Sequence, residues 1–126
     1  MAIIDVFVAD DDPKAVRYYK AIVNKMDGMR SIGSTSNGKV LVDIVLTVRP
    51  AVVLLDHKMN PDGFELATTL HKKLPALPII LLGGREDLSE KAREVGAYAY
   101  LSFPIIPSKL VETIRKAYDH SLIPPG

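Results

Sequence analysis

Val6-Phe7-Val8-Ala9-Asp10-Asp11-Asp12 and Val52-Val53-Leu54-Leu55-Asp56 are two uninterrupted apolar runs, and each ends in acid. Short runs without polar alternation suit strands covered on both faces, the pattern of a parallel sheet. In such a sheet the carboxyl ends of neighbouring strands open on one shared crevice, where α/β folds bind their ligands. Asp10, Asp11 and Asp56 would then converge. Two carboxylates about 4 Å apart repel by roughly 4 kcal/mol at an effective dielectric near 20. The set therefore needs a divalent cation, a basic partner or a bound proton. Asp12 reads differently: with Pro13 behind it, it is a helix N-cap.

Outward from these runs, strand-like and helical patterns alternate. Residues 3–9 form the first strand; Ala15, Val16, Tyr19, Ile22, Val23 and Met26 follow at helical spacing until Asp27-Gly28. Residues 30–34 read as a short strand. Asn37-Gly38 precedes a helix carrying Val40, Leu41, Ile44, Val45 and Val48, closed before Pro50. Ala51 to Leu55 is a central strand, and Phe64, Ala67, Leu70, His71 and Leu74 mark a third helix. Pro78 to Leu82, a short polar helix over 87–95, a strand from Tyr98 to Ser102, and a helix opened by Pro107 complete the chain. Leu110, Val111, Ile114, Ala117 and Tyr118 face inward on that last helix. Five β-α units with short connections predict an α/β three-layer sandwich of flavodoxin-like type. Its five-stranded parallel sheet has order 2-1-3-4-5, with five helices around it. Strands 1 and 3 are neighbours in that order, which brings the acids together.

Composition narrows the function classes. The chain has 126 residues, 48% of them hydrophobic and 25% charged, which suits one domain with a sizeable core. A formal net charge of +1 demands neither nucleic acid nor an acidic membrane as partner. Cysteine is absent, which excludes disulfides and thiolate chemistry. The start lacks a basic n-region, and no apolar stretch approaches the roughly 20 residues of a membrane span, so a cytoplasmic location is expected. Ser121-Leu122-Ile123-Pro124-Pro125-Gly126 reads as a tail or the start of a linker after a domain over residues 1–120.

Three landmarks then carry a family resemblance. They are the acid pair Asp10-Asp11, the segment Asp56-His57-Lys58-Met59-Asn60-Pro61-Asp62-Gly63-Phe64-Glu65, and the segment Gly96-Ala97-Tyr98-Ala99-Tyr100-Leu101-Ser102-Phe103-Pro104. In this order and at these separations the chain resembles a response-regulator receiver domain of two-component signalling. The resemblance implies that Asp56 accepts a phosphoryl group from a sensor histidine kinase or phosphotransfer protein. It implies a magnesium or manganese ion on Asp11, Asp56 and the backbone carbonyl of Lys58, with Asp10 holding it through water. His57, Gly83 and Gly84 would contact the phosphoryl group. Tyr100 takes the place of the switch aromatic, and an output domain or partner protein would read helix 4, strand 5 and helix 5. No direct contact with nucleic acid or membrane is implied, nor is the domain an enzyme in its own right.

Departures from the family pattern set the remaining expectations. Gly83 stands where the family places a Thr or Ser hydroxyl, and Phe103 where it places a Lys. The loop after Asp56 is one residue short. Losing both hydroxyl and ammonium predicts impaired or altered switching, with Lys58 or Arg85 as a substitute cation. The alternative is a phosphorylation-independent pseudo-receiver that acts as a protein-interaction module. The Asp10-x-Asp12 spacing also resembles haloacid-dehalogenase-like phosphatases, but Pro13 fits a helix start better. His57 and His71 lack a serine or cysteine nucleophile to serve, and no Walker pattern accompanies Gly83-Gly84.

Overall fold

The computed structural model describes residues 2–84 and 86–124. Elements alternate strictly: β1 (Ile4–Ala9), α1 (Pro13–Asn24), β2 (Met29–Thr35), α2 (Gly38–Val48), β3 (Val52–Asp56), α3 (Gly63–Lys73), β4 (Ile79–Gly83), α4 (Ser89–Glu94), β5 (Ala99–Ser102) and α5 (Pro107–Ser121). All strand pairs are parallel, in the order β2-β1-β3-β4-β5 that the sequence predicts. Only boundaries differ, by one to three residues; α5 runs on to Ser121.

The apolar runs are uniform because side chains of both parities meet a helical layer. Val6, Val8, Val52, Leu54, Ile80 and Leu82 pack with Tyr19 and Val23 of α1 and Leu110, Ile114 and Ala117 of α5. Phe7, Ala9, Val53, Leu55, Ile79 and Leu81 pack on the opposite face against Leu41 and Val45 of α2, Phe64, Ala67 and Leu70 of α3, and Ala92 of α4. Each buried aliphatic side chain contributes about 1.5–3 kcal/mol, so the two clusters fix the strand register that aligns Ala9 with Leu55 and Asp56 with Leu82. Helical spacing overstates the inward face of α2, where Val40 and Val48 are exposed, and misses buried Leu66 on α3.

Local stops follow the residues. Asp12 caps α1 by accepting from the Lys14 N–H at 2.9 Å. Pro50 disfavours the helical region for the residue before it, and Arg49 ends α2 with left-handed backbone at φ 53°. Asp62 caps α3, accepting from the Phe64 N–H at 2.8 Å. Among the described residues no helix is long and apolar enough to cross a membrane.

Candidate functional site

Asp10 is the first residue beyond β1, and Asp56 ends the neighbouring β3, so adjacent strands deliver both carboxyls to one end of the sheet. Asp11 follows from the β1–α1 loop. One carboxylate oxygen from each of Asp10, Asp11 and Asp56 lies within 4.8 Å of the other two. Asp10 is 2% and Asp56 8% exposed, while Asp11 faces solvent. Asp12 stays outside the cluster as the cap of α1.

Burial is the main force on Asp10 and Asp56. It pushes Asp10 up to about 7; the Asp12 N–H, donating to Asp10 Oδ1 at 2.9 Å, works against it, and the Asp56 and Asp11 charges add to it. Asp56 is also raised, chiefly by burial, against the Lys58 N–H that donates to its Oδ1 at 3.1 Å. The Asp10 and Asp56 carboxyls stand close to each other, and their proximity raises Asp10 further. Behind them Tyr19 is buried under α1, and burial together with the Asp10 and Asp56 charges raises its phenol.

This donor set suits a hard divalent ion. Magnesium favours carboxylates and retained waters in octahedral geometry, and three convergent carboxyls, one of them open to solvent, supply that chemistry. The Lys58 carbonyl receives no hydrogen bond from another described residue.

The loop after Asp56 is held closely. The His57 N–H donates to the Leu82 carbonyl at 2.9 Å, and the His57 carbonyl accepts from the Gly63 N–H at 2.9 Å. A Cβ on Gly63 would lie 2.5 Å from the Asp56 carbonyl oxygen and from His57 Cα. Only glycine lets α3 start so close to the end of β3. The Asn60-Pro61 and Phe103-Pro104 peptides are both cis.

Several expected site residues sit elsewhere than their assigned role implies. The His57 N–H, expected at the phosphoryl group, is committed to β4, and its imidazole turns toward Gly83; the backbone donor on the Asp56 carboxyl is Lys58. The Lys58 side chain is exposed. The ion pairs among the described residues are Arg30–Asp5, Arg93–Glu90 and Lys116–Glu112, so Lys58 places no ammonium on the acids. Arg85, the other substitute cation, lies outside the described residues, as does the end of the tail at Pro125-Gly126. The Phe103 N–H donates to the carbonyls of both Gly83 (3.1 Å) and Gly84 (3.0 Å), while its ring is 42% exposed and brings no charge. Tyr100 is half-buried, and its hydroxyl has no hydrogen-bond partner among the described residues. Burial, Glu86, Asp87 and Asp56 raise its phenol.

Sequence reading did not foresee what the His57 ring does. It lies 5.7 Å from Phe64 and 6.3 Å from Tyr100 between ring centroids, and its Nε2 accepts from the Gly84 N–H at 3.4 Å. The available signal was a glycine at the end of β4 beside a histidine just past the end of β3, one large and one absent side chain across neighbouring strands.

The geometry has clear relatives. The family model described as "Response regulator receiver domain" matches residues 6–115. The "Positive alginate biosynthesis regulatory protein" of Pseudomonas aeruginosa is 29% identical over 116 residues, 90% of this chain and 47% of that protein. The "Transcriptional regulatory protein PdtaR" of Mycobacterium tuberculosis is 32% identical over 115 residues, 89% of this chain and 55% of that one. The chain thus spans about half the length of these curated relatives. The response regulator domain of Thermotoga maritima CheB superposes with a TM-score of 0.86 at 23% identity, covering 98% of this chain and 99% of that one. Match and fold agree: the chain belongs to the response regulator receiver domain family of two-component regulatory systems.

Proposed function

We propose that Asp56 is a phosphoacceptor, loaded by a sensor histidine kinase or phosphotransfer protein in the cytoplasm, with switching altered by Gly83 and Phe103. The observation that carries this reading is the convergence of Asp10, Asp11 and Asp56 at the ends of adjacent strands. An Asp56 carboxylate oxygen forms the new P–O bond while the P–N bond of the donor phosphohistidine breaks, and the leaving imidazole keeps the electron pair. Asp10, Asp11, Asp56 and the Lys58 carbonyl would hold magnesium or manganese. The ion supplies positive charge to offset the carboxylates and the transferring phosphoryl oxygens. Asp10 would hold the ion as a carboxylate, and the Lys58 N–H keeps the Asp56 carboxylate oriented.

The chain itself serves as a signalling module and not as a catalyst, and it needs no direct contact with nucleic acid or membrane. Its reader is an output domain or partner protein on α4, β5 and α5. A second reading, an interaction module that works unphosphorylated, is favoured by one observation: neither a hydroxyl at Gly83 nor an ammonium at Phe103 faces the site. Acetyl phosphate with magnesium, read by intact mass, separates the two. One phosphoryl adduct that disappears in Asp56→Asn supports the first reading. No adduct at any magnesium concentration supports the second.

A further inference from the structure

Gly83 closes β4 without a side chain, yet the volume beside it is full. A Cβ built there would overlap Cδ2 of the His57 ring and the Tyr100 hydroxyl, and would lie 2.7 Å from His57 Nε2. His57 cannot drift from this place easily. Its N–H is bonded to Leu82 on β4, its carbonyl to Gly63 at the start of α3, and its Nε2 to the Gly84 N–H. The ring also meets Phe64, which is buried and covered by the Lys91 ammonium 4.4 Å from its centroid. Tyr100 is the only neighbour of the ring in this set that stands on the edge strand, half-exposed and free of side-chain hydrogen bonds among the described residues.

We propose that His57 is a positioning residue. Its imidazole takes the volume of the side chain that Gly83 lacks and wedges Tyr100 in its half-buried position, whether or not Asp56 is loaded. The wedge stands on packing alone. Only the statement about a loaded Asp56 rests on the phosphoacceptor reading. Gly83 carries nothing that withdraws to open a space, and the His57 backbone is pinned on both sides, so loading the acids leaves the ring where it is. The position of the Tyr100 ring is then set by residue 57 and not by the acid site.

Fluorotyrosine NMR on the whole chain tests this, with Tyr100→Phe assigning the Tyr100 signal. In His57→Ala the signal moves toward the solvent-exposed position. Acetylation of Tyr100 by N-acetylimidazole, read by peptide mass, rises about 2- to 10-fold, the range set by one aromatic edge contact. His57→Phe, which keeps a ring but loses the acceptor, holds the signal close to that of the unaltered chain. Gly83→Ala approaches from the other side: it displaces Tyr100 alone, and Gly83→Ala with His57→Ala returns it, a mutual rescue that a merely structural residue would not show. An unmoved Tyr100 signal in folded His57→Ala, or in folded Gly83→Ala if the first does not fold, overturns the wedge. Magnesium with beryllofluoride then shifts the amides around Asp10 and Asp56 in the unaltered chain and leaves Tyr100 in place. A Tyr100 that moves with them overturns the wedge. Acid-loop amides that fail to move count against the phosphoacceptor reading, and the variants alone then decide the wedge.

Discussion

Raising the pH in the presence of a chelator should destabilise this chain, and one side chain should account for most of the effect. Native Asp10 keeps its proton up to about 7, chiefly because it is buried, whereas the unfolded chain releases it near 3.8. Between those values the native state binds more protons than the unfolded state. Stability therefore falls as pH rises through this window and levels off above it. A difference of about three pH units at 1.36 kcal/mol each gives an upper bound of roughly 4 kcal/mol, a large fraction of the 5–15 kcal/mol typical of a domain. Asp56, raised by the same burial, adds in the same direction.

Asp10→Asn isolates the effect. The amide is neutral throughout, and its oxygen can still accept the Asp12 N–H that now lies 2.9 Å from Asp10 Oδ1. Urea melts followed by far-UV circular dichroism, in EDTA between about pH 4.5 and 8.5, should show a falling midpoint for the unaltered chain and a nearly level one for Asp10→Asn. Magnesium at pH 8 should restore the unaltered chain, by about 2.7 kcal/mol at 100 times its Kd, and should do much less for the variant. Equal midpoints at both ends of the range, or a variant that keeps the full slope, would refute the buried-acid account of the cluster.

Three further outcomes follow from the same geometry. Gly63→Ala places a methyl 2.5 Å from the Asp56 carbonyl oxygen and His57 Cα, backbone atoms that cannot swing aside; a loss of about 2–4 kcal/mol is expected in thermal or urea melts, together with weaker magnesium stabilisation. Asp12→Ala removes the α1 cap and should lose about 1 kcal/mol while keeping the full magnesium response, because Asp12 stands outside the acid cluster. Phe103→Lys returns an ammonium to the end of β5 and should raise the rate of Asp56 labelling by acetyl phosphate by about 100-fold, the low end of what a preorganised donor contributes; an unchanged rate would show that the missing charge does not limit the reaction.

The fold was legible because its signals were redundant. Val52 to Leu55 and Ile79 to Leu82 are apolar at every position, which only a strand between two helical layers explains, and Asp12-Pro13, Asp62-Gly63 and Arg49-Pro50 punctuate the helices by local rules. The acid cluster was legible for a related reason: once strand order is fixed, residues at strand ends have determined neighbours. What could not be read was anything that depends on which way a loop side chain turns. His57 is one residue past a strand end, where pleat alternation no longer dictates direction. Whether its ring goes to solvent, to the acids or over Gly83 depends on the hydrogen bonds to Leu82, Gly63 and Gly84 that form only in the folded chain. The same limit applied to Lys58, whose flexible stem leaves its ammonium in solvent, where holding it on the acids would restrict side-chain freedom for a screened attraction. Gly83 and His57 therefore have to be read as a pair. The glycine that removes a hydroxyl from the site is also what makes room for the imidazole, so restoring Thr or Ser at position 83 without altering position 57 would crowd the site before it could repair it.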